Sequence, residues 1–297
     1  MCTYCSVGGL TFSIEGLAFR GERFGVPKNF EPFVVEKADD LLFRLTVSQA
    51  HVLTSSHEEG LELVHVDEFE EDMPRLEIYK KADGWVLLTA MYRTAPVCSR
   101  LEADENFAHA QLTVISEQAA VMDFAINNAT MLLYAFTALK HKTLELHASV
   151  TVKDELGFLF LGKSGTGKST HSQMWLTAFK DAWLLNDDNP VVRLKDDGVW
   201  VYGSPWSGKT PCYKNAGRRV GAFVQLHQAG ENTIAQCRPS KAYIYVYGSC
   251  SGLKFLADKR DALYEVVSEI VGQVKVWELG CLPNVDAAQL CAQTCLS

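Results

Sequence analysis

The stretch GKSGTGKST, residues 162–170, decides the fold of the second half of the chain. It matches GxxxxGK[ST], the spacing of loops that bind nucleotide phosphates. An apolar run at 158–161 precedes it, and THSQMWLTAFK follows with apolar residues spaced for one helix face. This order of strand, loop and helix predicts a phosphate site, because glycines let backbone N–H groups and the positive helix N-terminus face one anion.

The residues of this loop have separate expected roles. Lys168 would reach the outer phosphates of ATP, and the Ser169 hydroxyl would ligate a Mg²⁺ ion that bridges them. ATP and Mg²⁺ are therefore the expected cofactors. The residues predicted to contact the nucleotide are Gly162, Lys163, Ser164, Gly165, Thr166, Gly167, Lys168, Ser169 and Thr170.

A second stretch, GSPWSGKT at 203–210, has the same spacing in the wrong context. Pro205 and Trp206 lie inside it, Pro211 follows it, and no amphipathic helix comes next. We therefore do not expect it to form a phosphate loop of its own. The stiff Pro-Trp turn either presents Lys209 to a phosphate or substrate group, or leaves Lys209 solvated on a rigid surface turn.

Two adjacent acids follow an apolar run in AWLLNDDNPVVRL, residues 182–194. A buried strand that ends at Asp187 and Asp188 would deliver both carboxylates to the mouth of a phosphate site. One can hold magnesium, with Asp188 and Ser169 as the expected ligands, and the other can accept a proton from an attacking hydroxyl. The simpler interpretation is an Asp-Asp-Asn-Pro turn that opens a hairpin, and such a turn is compatible with a catalytic role of the two acids.

A histidine, His147, lies 15 positions before the first loop glycine, Gly162. HASV at 147–150, LFLGKSGTGKST at 159–170 and LLNDDNP at 184–190 together resemble the catalytic domain of HPr kinase/phosphorylase and related P-loop kinases, a fold shared in part with phosphoenolpyruvate carboxykinase. The resemblance covers roughly residues 145–225.

That resemblance implies that His147, the P-loop and the paired aspartates converge on one nucleotide and magnesium site. It also implies that one aspartate takes the proton of a serine hydroxyl, and that the protein forms a homo-oligomer. The glutamate of the Glu-x-Arg-Gly signature in HPr kinases has no counterpart between residues 190 and 225. The resemblance therefore does not extend to HPr as the phosphate acceptor.

The chain divides by pattern into an α+β arrangement. Residues 1–117 alternate short apolar runs with turn signals, including HVLTSS at 51–56, and predict a mainly β domain of unknown role. Residues 118–142 have helical spacing and predict a connecting helix. Residues 143–297 alternate strand and helix patterns and predict an α/β catalytic domain of P-loop kinase type. The acidic run at 67–73 is expected to be a solvated loop.

Composition excludes several classes of protein. The 297 residues carry a net charge of −8, so a basic face for nucleic acid is not expected. No secretory signal and no uncharged apolar stretch of about 18 residues are evident, which favours a cytoplasmic protein without a membrane partner. Nine scattered cysteines predict reduced thiols. Cys2 and Cys5 form a single CxxC, for which a frayed terminus is expected rather than a metal site.

Three later segments complete the prediction. Arg218 and Arg219 precede an apolar strand, where they either neutralise charge near the phosphates or simply bound the strand in water. Alternating tyrosines in AYIYVYG, 242–248, indicate a strand whose aromatic face either packs in the core or forms a platform for a ligand, with core packing expected. Residues 259–273 and a short terminal segment have helical spacing.

These observations favour an ATP-dependent kinase that transfers the γ-phosphate to a hydroxyl of a protein, peptide or small molecule. Two other functions stay open. One is a nucleotide-binding regulator without catalysis, in which the first half of the chain senses a ligand. The other is a P-loop ATPase that a partner stimulates.

Overall fold

The computed structural model describes residues 2–16, 25–50, 60–67, 74–116, 118–208, 210–252 and 254–297. Three predictions fall outside these residues. They are the strand expected at 51–56, the acidic run beyond Asp67, and the role of Lys209. Within the described ranges the chain forms two compact units, Met1–Thr137 and Ala138–Ser297. Both contain a large β-sheet and helices, so the protein is a mixed α and β protein.

The first unit is built on one sheet with the strand order β3-β1-β2-β4-β9-β8-β7-β6-β5. Its strands are β1 (Cys2–Val7), β2 (Leu10–Gly16), β3 (Val34–Val35), β4 (Arg44–Gln49), β5 (Glu62–Asp67), β6 (Arg75–Lys81), β7 (Gly84–Ala90), β8 (Val97–Asp104) and β9 (His109–Val114). A 3₁₀ helix spans Lys28–Phe33 and helix α1 spans Ala119–Thr137. The segment KADG, 81–84, forms a hairpin in which β6 and β7 pair antiparallel from Lys81 and Gly84.

The amino terminus is ordered, which corrects the expectation of a frayed end. β1 pairs with both β2 and β3, and its residues Cys5 and Val7 are fully buried. The pattern CTYCSV alternates inward and outward side chains, so burial of one face offsets the entropy of ordering the terminus.

Helix α1 covers this sheet with one apolar face. Ala125, Ile126, Ala129 and Leu133 are buried at three- and four-residue steps. The Tyr134 hydroxyl donates to the Val7 carbonyl oxygen at 2.9 Å. The helical segment Ala119–His141 is long and apolar enough to cross a bilayer, but the buried core helices of other proteins have the same length and mean hydropathy.

The second unit has a sheet with the order β10-β14-β15-β16-β12-β11-β13, in which β18 lies beside β16 and β17 beside β18. The strands are β10 (Thr143–Glu145), β11 (Ala148–Lys153), β12 (Leu156–Leu161), β13 (Trp183–Asp188), β14 (Val191–Lys195), β15 (Gly198–Tyr202), β16 (Gly217–Gln228), β17 (Thr233–Gln236) and β18 (Val276–Cys281). The helices are α2 (Lys168–Ala178), α3 (Pro239–Ser249), α4 (Ala257–Gln273) and α5 (Val285–Cys295), after a 3₁₀ turn at Ala138–His141. The helices predicted at 259–273 and at the carboxyl terminus are confirmed.

Strand β12 is buried on both faces. Leu159 and Leu161 pack in the core beneath α3 and α4, and Phe158 and Phe160 pack against Trp175 of α2. β12 runs parallel to β16, which runs parallel to β18. A parallel strand covered on both sides reads as a continuous apolar run, as GFLFL does. The glycine-rich segment therefore emerges from the centre of the sheet.

The alternating tyrosines lie on helix α3, so the strand predicted for AYIYVYG is wrong. Tyr243 and Tyr247 are one helical turn apart and stack with ring centroids 5.3 Å apart. Ala242 and Val246, also four apart, are the buried pair. A run of residues spaced by two also contains pairs spaced by four, and Pro239 at the start of the helix suits the helical choice.

Candidate functional site

The glycine loop, residues 162–167, connects β12 to α2 and leaves open space above its backbone. Gly165 and Gly167 have φ of 77° and 105°, in the left-handed region that favours glycine. Apart from the neighbouring residues of the chain, no heavy atom lies within 4 Å of where a Cβ would stand at either glycine. An uncrowded backbone that leads into a helix N-terminus fits a phosphate group. The predicted order of strand, loop and helix is thus present.

Lys168 is the first residue of α2 and folds back over the loop. Its Nζ donates to the Gly162 carbonyl oxygen at 2.9 Å and to the Lys163 carbonyl oxygen at 3.3 Å. The side chain is 9% exposed. Burial lowers the pKa of Lys168, while the carboxylates of Asp188 and Asp187 act in the opposite direction. A buried ammonium close to open backbone space is well placed to attract an anion.

His147 joins Lys168 to Asp188. Its Nε2 lies 2.8 Å from Lys168 Nζ, and its Nδ1 lies 2.9 Å from Asp188 Oδ1. An ammonium can only donate, so Nε2 accepts, and Nδ1 therefore carries the hydrogen that is donated to Asp188. The backbone N–H of His147 donates to the Ser249 carbonyl oxygen at 2.8 Å. This bond fixes the backbone position from which the imidazole extends. The predicted convergence of His147, Lys168 and Asp188 is present in this contact chain.

Asp187 has different surroundings from its neighbour. It is 5% exposed, and its Oδ1 accepts a hydrogen bond from Ser149 Oγ at 2.7 Å. Ser149 Oγ lies 2.6 Å from Ser172 Oγ, so the Ser172 hydroxyl donates to Ser149. Ser172 is one turn beyond Lys168 on α2. Two hydroxyls therefore tie Asp187 to the helix that follows the glycine loop, a link that the sequence pattern did not indicate.

The second GxxxxGK[ST] stretch contacts the residues that flank the paired acids. Ser204 Oγ donates to the Asn189 carbonyl oxygen at 2.6 Å, and Asn186 Nδ2 donates to Ser204 Oγ at 3.1 Å. A Cβ at Gly208 would stand 2.9 Å from the Asp187 carbonyl oxygen, so only glycine allows this approach. After this stretch the described residues contain no helix before strand β16, which agrees with its rejection as a phosphate loop.

A buried carboxyl group, Glu145, lies close to the same strand end. It is 1% exposed on β10 and pairs with Val191, just beyond the paired acids. Burial raises the pKa of Glu145 well above its usual range, and the charge of Asp188 adds to this, while Ser251 opposes it. Burial therefore favours the neutral form of the Glu145 carboxyl over its charged form. Sequence reasoning did not single it out.

Helix α2 is anchored by a buried histidine one turn after its start. Trp175 Nε1 donates to His171 Nε2 at 3.1 Å, and His171 also packs edge-on against Phe160. Burial lowers the pKa of His171 to about 4. The neutral ring is therefore the form that holds α2 against the sheet.

This histidine predicts a loss of stability in mild acid. Between pH 6.5 and 4 the unfolded chain binds a proton at this position and the folded chain does not, so stability falls as the pH falls through that range. The His171 contribution is at most about 3 kcal/mol. In His171→Gln, which keeps an acceptor for Trp175, thermal unfolding midpoints between pH 7 and 4.5 should decline less steeply than in the unmodified protein. Parallel declines would contradict the prediction.

The two arginines do not reach the glycine loop. Arg219 pairs with Leu156, the first residue of β12, whereas the loop follows the last residue of that strand. Arg218 Nε lies 2.9 Å from Glu155 Oε2, and Arg219 Nη2 lies 3.4 Å from Asp197 Oδ2. The structure therefore supports the alternative in which the two arginines mark the start of a strand, rather than the one in which they neutralise charge near the phosphates.

The expected magnesium ligands lie on separate elements. Ser169 is exposed on the first turn of α2, and the Asp188 side chain, at 32% exposure, ends β13. Within the ranges that the structure describes, no three His, Cys, Asp or Glu side chains are grouped closely enough to hold a metal ion. A single carboxylate and a hydroxyl suit Mg²⁺ bound mainly through water and phosphate oxygens.

No protein-family model matches the chain, and no curated protein matches it either. Among solved structures, the HPr(Ser) kinase/phosphatase from Coxiella burnetii is weakly similar. The sequence identity is 12%, and the match covers 51% of this chain and 93% of that chain, with a TM-score of 0.30. A TM-score this low does not establish a shared fold.

Proposed function

We propose that this protein is an ATP-dependent kinase that transfers the γ-phosphate to a hydroxyl group. One observation carries the proposal. A single contact chain from Asp188 through His147 to Lys168 ends at an open glycine loop, and Asp187 lies beside it on the same strand end. These are the parts that phosphoryl transfer requires, namely a phosphate cradle, a cation, and carboxylates for a metal ion and a proton.

The residues of 162–170 bind and orient the nucleotide in this proposal. The open space at Gly165 and Gly167 takes a phosphate group against the backbone N–H groups and the start of α2. Lys168 then exchanges its carbonyl partners for phosphate oxygens, and His147 keeps its ring in place through the bond to Asp188. The lysine needs only a rotation of its side chain, because it already lies over the loop.

The two aspartates divide the remaining work. Asp188 is partly exposed and, with Ser169, would hold Mg²⁺, which prefers carboxylate and hydroxyl oxygens and retains several waters. When bound, the ion neutralises charge on the phosphate oxygens. Asp187 is nearly inaccessible to water and would accept the proton of the attacking hydroxyl. The hydroxyl oxygen forms a bond to phosphorus as the bond between phosphorus and the ADP oxygen breaks.

A labelling experiment tests the class of reaction. We expect purified protein, incubated with ATP labelled at the γ-phosphate and a cell extract, to place the label on a protein, peptide or small molecule. The Lys168→Met protein should place about 10³-fold less label. Release of the label only as inorganic phosphate would indicate the ATPase alternative instead. Nucleotide binding without any turnover across extracts would indicate the regulator.

A further inference from the structure

The catalytic groups lie on one side of strand β12. Asp187 and Asp188 end β13, and His147 precedes β11, and both strands lie on the same side of β12 in the sheet. The phosphate that reacts must face these groups. The rest of the nucleotide must therefore leave the glycine loop in another direction, and the other neighbour of β12 is β16, followed by β18.

A polar cluster occupies that other side. We call it the β16 cluster, and its members are His227, Lys241, Tyr245 and Glu278. Glu278 Oε1 accepts from the Tyr245 hydroxyl at 2.8 Å and lies 2.9 Å from His227 Nε2. Lys241 pairs with the second oxygen of Glu278 and holds the pKa of that carboxyl below its usual range. The cluster therefore contains an ionised acceptor whose charge is balanced by a neighbouring cation.

The β16 cluster is connected to the glycine loop. Leu161, the last residue of β12, pairs with Gln225, so residues 227 and 228 extend past the strand end alongside the loop. Gln228 Nε2 donates to the Gly165 carbonyl oxygen at 3.3 Å. Helix α3 carries Tyr245 in its middle and Ser249 at its end, where the Ser249 carbonyl oxygen holds His147. One helix thus runs from the cluster to the catalytic groups.

We propose that the β16 cluster binds the nucleoside end of the nucleotide, with Glu278 accepting hydrogen bonds from ribose hydroxyls and the rings of His227 and Tyr245 contacting the base. This inference rests on the proposed function. A carboxylate at the end of a sheet suits ribose hydroxyls. The two ring centroids are 6.0 Å apart, and both side chains keep exposed surface on which a base can stack. Lys241 keeps the carboxylate from repelling the phosphates.

Two ligands separate this inference from the proposed function. ATP and inorganic tripolyphosphate share the phosphate chain, but only ATP has a ribose and base. By calorimetry with Mg²⁺, Tyr245→Ala is expected to weaken ATP binding about tenfold and to leave tripolyphosphate binding within about twofold. His227→Ala should have the same pattern. Tyr264→Ala, which removes an exposed tyrosine of α4, is the matched control and should change neither affinity.

Each remaining outcome has a defined meaning. Unchanged ATP affinity in both His227→Ala and Tyr245→Ala, or an equal loss for both ligands, would overturn the inference while leaving the kinase proposal intact. If the unmodified protein binds neither ligand, the kinase proposal and this inference both fail. Should Tyr245→Ala unfold, Tyr245→Phe retains the packing and removes the hydroxyl that donates to Glu278, and His227→Ala then decides the base contact.

Discussion

Replacing Lys168 with methionine is expected to reduce phosphate transfer by about 10³-fold and to weaken ATP binding by at least about tenfold. The ammonium lies over the glycine loop, bonded to the Gly162 carbonyl oxygen and to His147. Methionine has a similar length and no charge, so the loop loses the cation that faces the phosphates. Because Lys168 is buried, that charge is worth more there than at the surface.

Lys180→Met is the matched control, since Lys180 is exposed in the turn after α2. Binding of ATP and tripolyphosphate by calorimetry and transfer of the labelled phosphate provide the measurements. Circular dichroism and the unfolding midpoint check that the variant is folded. ATP affinity equal to that of the unmodified protein would rule out the glycine loop as the phosphate site, and the kinase proposal with it.

Replacing either paired acid with asparagine should separate binding from chemistry. Asp187→Asn is expected to lower the transfer rate by about 10³-fold and to leave ATP affinity within a few-fold, because Asp187 contacts the Ser149 hydroxyl rather than the loop. Asp188→Asn should lower the rate similarly and also raise the Mg²⁺ concentration needed for half-maximal activity. An amide has nearly the shape of the carboxylate but neither its charge nor its basicity.

The two variants also differ in their expected structural effect. In Asp187→Asn the buried amide must rearrange against Ser149 and Ser172, so some loss of stability is expected. Asp196→Asn, in the exposed turn between β14 and β15, is the control for a lost charge. Transfer rates at wild-type levels in both site variants would exclude Asp187 and Asp188 from the reaction.

Local sequence patterns were sufficient to predict the strands, the loop and the helix that form the candidate site. The glycines of 162–167, the apolar run of β12 and the helical spacing of α2 are each encoded within a few residues. The same holds for the strand that ends in Asp187 and Asp188. Such patterns predict local structure because backbone freedom and side-chain periodicity act over short distances along the chain. The incorrect strand prediction at Tyr243 and Tyr247 shows the limit of such patterns. Over a segment this short, apolar residues spaced by two fit a strand, and the same residues taken four apart fit a helix.

Only the tertiary structure shows which side chains meet. Ser149 reaches Asp187 across 38 positions of the sequence, and Gln228 reaches Gly165 across 63. The stretch at 203–208 contacts the segment of the paired acids, a role that its match to the phosphate-loop spacing did not indicate. These contacts depend on which strands are neighbours in the sheet, and that order is set by burial of apolar faces throughout the unit. The sequence by itself therefore determined the loop and its flanking elements, and packing decided the partners of each candidate catalytic group.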